Sequence, residues 1–187
     1  TGQITMADDR TPEPGSAEVA KRMVVLRRHL HDAVPLDQAA TDAGIPIRVG
    51  VNSGSLEKDL LSPEGRATAE GLAESAIRTV ARMNRLGFED LVVAIKAAEV
   101  PLTVAANREF ARRSDLPLHI GITEAGFGRA AAVKSAAGLA ILLADGIGDT
   151  LRISMTDPPE DEVEVGLLLL RSLDLRRGPW LTSCPTC

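Results

Sequence analysis

Only two cysteines occur in the 187 residues, Cys184 and Cys187. A secreted scaffold stapled by disulfides needs several spread along the chain, so that class is excluded. Tyrosine is absent, tryptophan occurs once and phenylalanine three times. So few rings give nucleic-acid bases little to stack on. Acidic residues outnumber basic ones, 26 to 21, for a net charge of -5. No global positive field draws in nucleic acid or an anionic membrane. No apolar run reaches the ~20 residues that span a bilayer. The opening "TGQITMADDR" lacks the basic and apolar blocks of a secretion signal. The expectation is a cytoplasmic protein with neither a nucleic-acid nor a membrane partner.

What is present suits one domain with a sizeable core: 44% hydrophobic and 25% charged residues. Residues 1–44 read as a divergent N-terminal segment. "ADDRTPEPGS" is polar and proline-rich, a loop or disorder signature. "AEVAKRMVVLRRHLHDAV" predicts one helix, with Val19, Met23, Leu26 and Leu30 at helical spacing, ended by Pro35. His29 and His31 sit two apart, cannot share a helix face, and read as surface residues.

From residue 45 to 187 a pattern repeats. "IPIRVGV", "DLVVAIKA", "PLHIGIT" and "TLRISMT" read as strands, with helical stretches between and after them. "TAEGLAESAIRTVARMNRLG" places Leu72, Ile77, Val80 and Met83 on one stripe. "TDPPE" signals a helix start, with proline just inside the first turn. Strand then helix, about four times, means parallel strands with crossovers. Each strand carries one aliphatic face and one small or polar face. An open sheet covered by helices on both sides would want both faces apolar. The pattern predicts α/β architecture, half of a TIM-type (β/α)8 barrel in preference to a small open α/β sheet.

The polar face holds Arg48, Lys96 and Arg152. Burying an unpaired cation costs several kcal/mol. Two readings stand: a polyanionic ligand such as a diphosphate, or internal pairing, for example with Glu124 in "ITEAG". Asn52 ends its strand in "GVNSGS", where such residues often make turns. Ser154, two residues past Arg152, could donate to the same phosphate. His119 lies on this face too, and a core histidine with satisfied hydrogen bonds is its plainer reading. Lys134 in "AVKSAAG" lies near a helix start. "GIGDT" precedes a strand, so it falls at the opposite, stabilising end of a barrel. The C-x-x-C of Cys184 and Cys187 is half of a metal site or a dithiol; four-ligand sites need two more groups.

In order, "IPIRVGVNSGSLEKDLL", "LVVAIKAAEVPLTVAA", "LHIGITEAG", "VKSAAGLAILLADGIGDTLRISMTDPPEDEVEVG" and "LRRGPWLTSCPTC" resemble the 4-hydroxy-3-methylbut-2-enyl diphosphate synthases. The resemblance covers residues 45–187. It implies a TIM-type barrel followed by a reductase-like domain, with this chain as the second half of that barrel, detached at both ends, and a 4Fe-4S cluster held by three cysteines and a glutamate. Cys184 and Cys187 match the family's CPTC motif. Arg48 and Asn52 match its R-x-G-x-N, Lys96 its strand lysine, Glu124 its T-E-A-G, and Arg152 and Ser154 its R-x-S. The implied activity is iron–sulfur oxidoreductase chemistry of isoprenoid (terpenoid) biosynthesis. A cyclic diphosphate, 2-C-methyl-D-erythritol 2,4-cyclodiphosphate, is opened and dehydroxylated with electrons from ferredoxin or flavodoxin. Arg48, Lys96 and Arg152 would hold the diphosphate, with Asn52 and Ser154 completing its hydrogen bonds. Glu124 would orient or protonate the leaving hydroxyl, a catalytic role. A homodimer of the full-length protein is part of the same expectation, and the chain alone is expected to be inactive. Two alternatives compete: a phosphate-binding barrel lyase using Lys96 as a Schiff-base nucleophile, and a non-enzymatic fragment.

Overall fold

A computed structural model describes Ile4–Thr5 and residues 36–179. The helix expected before Pro35, with His29 and His31, lies outside the described residues, as do Cys184 and Cys187. The strands are β1 Ile4–Thr5, β2 Ile47–Asn52, β3 Leu91–Lys96, β4 His119–Gly121 and β5 Thr150–Arg152. The helices are α1 Leu36–Ala43, α2 Ala69–Arg85, α3 Val100–Ala111, α4 Gly128–Ala144 and α5 Pro159–Ser172.

Local chemistry sets the helix boundaries. Thr68, in an extended conformation, caps α2 by accepting from the Gly71 N–H at 3.0 Å. Such a cap contributes about 1 kcal/mol. Arg82 and Arg85 sit in the last turn, where the helix dipole favours cations. α5 starts as its sequence signalled, with Pro159 at the first position and Glu160, Asp161 and Glu162 in the first turn.

β2 and β3 pair in parallel from Ile47↔Leu91 to Asn52↔Lys96. β4 and β5 pair in parallel from His119↔Thr150 to Gly121↔Arg152. A single parallel bridge, Val93↔Leu118, links the two ladders. The parallel strands thus follow chain order, β2-β3-β4-β5, as successive βα units require. Within the described residues the barrel is not closed. β1 pairs antiparallel on the free edge of β5 (Ile4↔Leu151, Thr5↔Thr150), which no sequence pattern announced. The edge offers unpaired backbone groups, and two residues suffice to use them.

Strands expected over 117–123 and 150–156 are shorter as ladders, three residues each. Alternation continues past the pairing. The Thr123 N–H reaches the Ala97 carbonyl at 3.2 Å, and the Thr156 N–H reaches the Gly126 carbonyl at 2.9 Å. Sequence periodicity reports which way side chains face, and pairing stops earlier.

The aliphatic faces are buried as expected. Ile47, Val49, Val51, Leu91, Val93, Ile95, Leu118, Ile120, Leu151 and Ile153 form the core with Leu72, Phe110, Leu139 and Leu170 from the helices. Ile77, Val80 and Met83 of the α2 stripe pack on it partly buried. The "GIGDT" segment is structural. The Asp149 carboxylate accepts from the Leu118 N–H at 2.7 Å, and Gly148, at φ 118°, lies against Ile120. No helix among the described residues is long and apolar enough to cross a membrane.

Candidate anion-binding site

The other strand face carries the polar residues. The β2–β3 register sets Asn52 beside Lys96, and the β4–β5 register sets Gly121 beside Arg152. The Val93↔Leu118 bridge, continued at the same offset, brings Lys96 beside Gly121. A methyl group built on Gly121 would lie 3.6 Å from Lys96 Cε and 3.8 Å from Arg152 Cβ. Asn52, Lys96, Gly121 and Arg152 therefore form one row at the C-terminal ends of four strands. Gly121 leaves the gap between the two cationic residues. Sequence reasoning missed it, although its parity between His119 and Thr123 on the polar face was the available signal.

α3 holds Lys96 in place through its neighbours. Asn107 donates to the Ile95 carbonyl at 3.0 Å, and the Thr103 hydroxyl bonds both the N–H and the carbonyl of Ala97 at 3.1 Å. Both side chains are fully buried. Such bonds are expensive to lose, so the strand end is fixed. Glu162 of α5 does the same beyond β5. It accepts from the Met155 N–H at 3.0 Å and so fixes the segment that carries Ser154.

The cations are short of counter-charge. Burial, then the Arg48 and Arg152 charges, pushes Lys96 down to about 8. Burial, then Arg152, lowers Arg48 from its ordinary value. Arg152 Nε is buried with no hydrogen-bond partner among the described residues. Elsewhere arginines find acids: Arg78 pairs with Asp59 at 2.6 Å, Arg108 with Asp145 at 2.7 Å and Arg113 with Glu74 at 2.7 Å. Among the described residues no ion pair reaches Arg48, Lys96 or Arg152. Internal pairing with Glu124 is thus overturned. Glu124 is exposed on the loop after β4, its backbone at φ 52°, and Lys134 Nζ donates to its carbonyl oxygen at 3.0 Å. That loop is tied to the one after β5 twice, through Thr156 N–H to Gly126 and through the Gly128 N–H to the Asp157 carboxylate at 2.7 Å. Asn52 is exposed and its side chain makes no capping bond to the 3-10 turn it precedes, so the turn-former reading does not account for it. Ser154 is half-buried.

Three cations on one strand face, near enough to act on one another, can hold a dianionic or more highly charged group. Lys96 gives a pH signature. A bound anion holds its proton, so its affinity is flat below about 8 in pH and declines above. Isothermal titration with inorganic pyrophosphate between about pH 7 and about pH 9 should show that extra decline, and Lys96→Arg should abolish it. An identical profile for both proteins would contradict the assignment.

Residues 26–167 match the family described as the GcpE TIM-barrel domain. The chain is 55% identical over 150 residues to 4-hydroxy-3-methylbut-2-en-1-yl diphosphate synthase (flavodoxin) of Geobacter sulfurreducens, 80% of this chain and 42% of that protein. It is 50% identical over 149 residues to the enzyme of the same name from Ruminiclostridium cellulolyticum, 79% and 42% of the two chains. For the Pseudomonas savastanoi pv. phaseolicola enzyme the identity is 55% over 150 residues, 80% and 41%. The chain therefore spans about two fifths of the length of these relatives.

Proposed function

Since the chain belongs to the GcpE TIM-barrel family, we propose that it supplies the diphosphate-binding strands of a 4-hydroxy-3-methylbut-2-en-1-yl diphosphate synthase of isoprenoid biosynthesis. The observation that carries this reading is the trio of inward cations without acids. Arg48 and Arg152 offer planar forks to phosphoryl oxygens, and Lys96 a point charge. Asn52 and Ser154 complete the hydrogen bonds. Glu124, on the rim, protonates the departing hydroxyl so that it leaves as water. The overall change proposed is a two-electron opening and dehydroxylation of 2-C-methyl-D-erythritol 2,4-cyclodiphosphate. Reduced flavodoxin, or ferredoxin, is the proposed donor, and the whole protein is proposed to act as a homodimer.

The described residues do not fit a 4Fe-4S cluster. Among them no group of three or more His, Cys, Asp or Glu side chains is placed to hold a metal. Cys184 and Cys187, the proposed ligands, lie outside them, and the sequence holds no other thiol. We assign binding, orientation and proton delivery to the described residues, and cluster ligation to Cys184 and Cys187. With dithionite as reductant, the 187-residue chain should bind the cyclodiphosphate and leave it unconsumed. Equilibrium dialysis with phosphorus NMR of the recovered ligand reads both quantities. Absence of binding at millimolar ligand would sink the site; turnover would sink the division of labour.

One observation favours a second reading. Lys96, at about 8, is a better nucleophile than an ordinary lysine. A Schiff-base lyase would leave a borohydride-trapped adduct on Lys96 with a carbonyl substrate; mass spectrometry after treatment with a phosphorylated aldehyde decides.

A further inference from the structure

His119 is the one polar residue of β4, and it is 1% exposed. Its register partner is Thr150 on β5, and Nδ1 lies 2.8 Å from the Thr150 hydroxyl. Nε2 is buried and has no hydrogen-bond partner among the described residues. A core histidine with both nitrogens satisfied, the plainer expectation from sequence, is therefore not what the fold holds. An unpaired buried nitrogen costs about 1–3 kcal/mol, so its position asks for an explanation.

The neighbourhood supplies one. His119 shares strand parity with Gly121 and lies one step below the row of Lys96 and Arg152. Its own row holds Gly50 and Ala94, continued through the Val93↔Leu118 bridge, and open space stands over Gly50. No large side chain of β2 or β3 therefore stands on the row of the imidazole. Burial first, then Lys96, Arg48 and Arg152, depresses its basicity to about 3, so the ring is neutral. A fourth charge here would repel the other three; a neutral donor adds a hydrogen bond without that cost.

We propose that His119 is a fourth, uncharged ligand of the anion, donating its Nε2–H to the innermost phosphoryl oxygen while the Thr150 hydroxyl donates to Nδ1. The inference rests on the anion-binding reading and deepens it. It defines a substrate class: an anion long enough to reach from the Lys96–Arg152 row down to the histidine row, such as a diphosphate.

The test uses the 187-residue chain and inorganic pyrophosphate. A glutamine side chain places an amide nitrogen near the Nε2 position, and asparagine near Nδ1. His119→Gln should bind pyrophosphate within about twofold of the unaltered chain, and His119→Asn about tenfold more weakly. The reverse order would make the Thr150 bond the whole role of the ring and overturn the proposal. A chain with His119 intact gives an independent readout. With nitrogen-15 histidine, three histidines contribute, and in the chain carrying His29→Gln and His31→Gln the remaining resonance is His119. Its Nε2 should be the protonated nitrogen and should shift on pyrophosphate addition. An unmoved or unprotonated Nε2 overturns the proposal even if both variants fail to fold. Failure of the underlying reading looks different: the unaltered chain would bind no pyrophosphate at all.

Discussion

Arg152→Ala lowers the affinity of the chain for inorganic pyrophosphate at least about tenfold, the scale of one lost charge-assisted hydrogen bond. Arg152 lies across Gly121 from Lys96, and its Nε has no hydrogen-bond partner among the described residues. That nitrogen therefore has a hydrogen bond left to give to a ligand. The same substitution should leave the fold intact or firmer, because it removes one of three mutually repelling cations. Arg113→Ala is the matched control: it removes an equal charge from an outer pair with Glu74 and should leave pyrophosphate affinity unchanged. Titration calorimetry and thermal melting of both variants give the four numbers needed. Equal affinities for the two variants would remove Arg152 from the site. A large stability loss in Arg152→Ala would mean that the residue serves the core instead.

Gly71→Ala is expected to destabilise the protein by about 3 kcal/mol, a drop of roughly 10 °C in melting temperature. Intrinsic helix propensity alone argues the other way, since alanine is favoured over glycine by about 1 kcal/mol inside a helix. Sterics decide. A methyl group at Gly71 would collide with the carbonyl oxygen of Leu60 and would lie 3.1 Å from Thr68 Oγ1 and 3.3 Å from Leu56 Cδ2. The first of these is backbone and cannot swing aside. The loop after β2 is also pinned to α2 by Ser75 donating to Glu57 at 2.6 Å and by Arg78 with Asp59. Relief of the clash must therefore break the Thr68 cap or lift the loop that follows Asn52. A variant as stable as the parent in urea denaturation would show that the loop yields freely.

Much of this arrangement was legible because strands write their two faces at alternate residues. In "IRVGVN" the buried Ile47, Val49 and Val51 alternate with the solvent-reached Arg48, Gly50 and Asn52, and parity alone put Arg48, Lys96 and Arg152 together. What parity cannot carry is the partner of each group. Nothing in the sequence said that the three cations lack acids while Arg78, Arg108 and Arg113 have them. Pairing across 31 residues, as between His119 and Thr150, depends on register, which only the fold sets. The β1 pairing was illegible for a related reason. Two residues hold no period, and the edge of β5 decides where they lie. Glu124 was legible as a site residue through its motif, but its left-handed backbone and its tether to Lys134 were not.

The two ties between the loops after β4 and β5 bear on how anything enters. One tie joins backbone to backbone and the other joins a carboxylate to the first turn of α4. Two such points, set apart along the chain, resist twisting as well as separation. The rim carrying Glu124 and the rim carrying Ser154 are consequently braced as one piece, so a ligand arriving at that side meets the acid and the hydroxyl already set relative to each other.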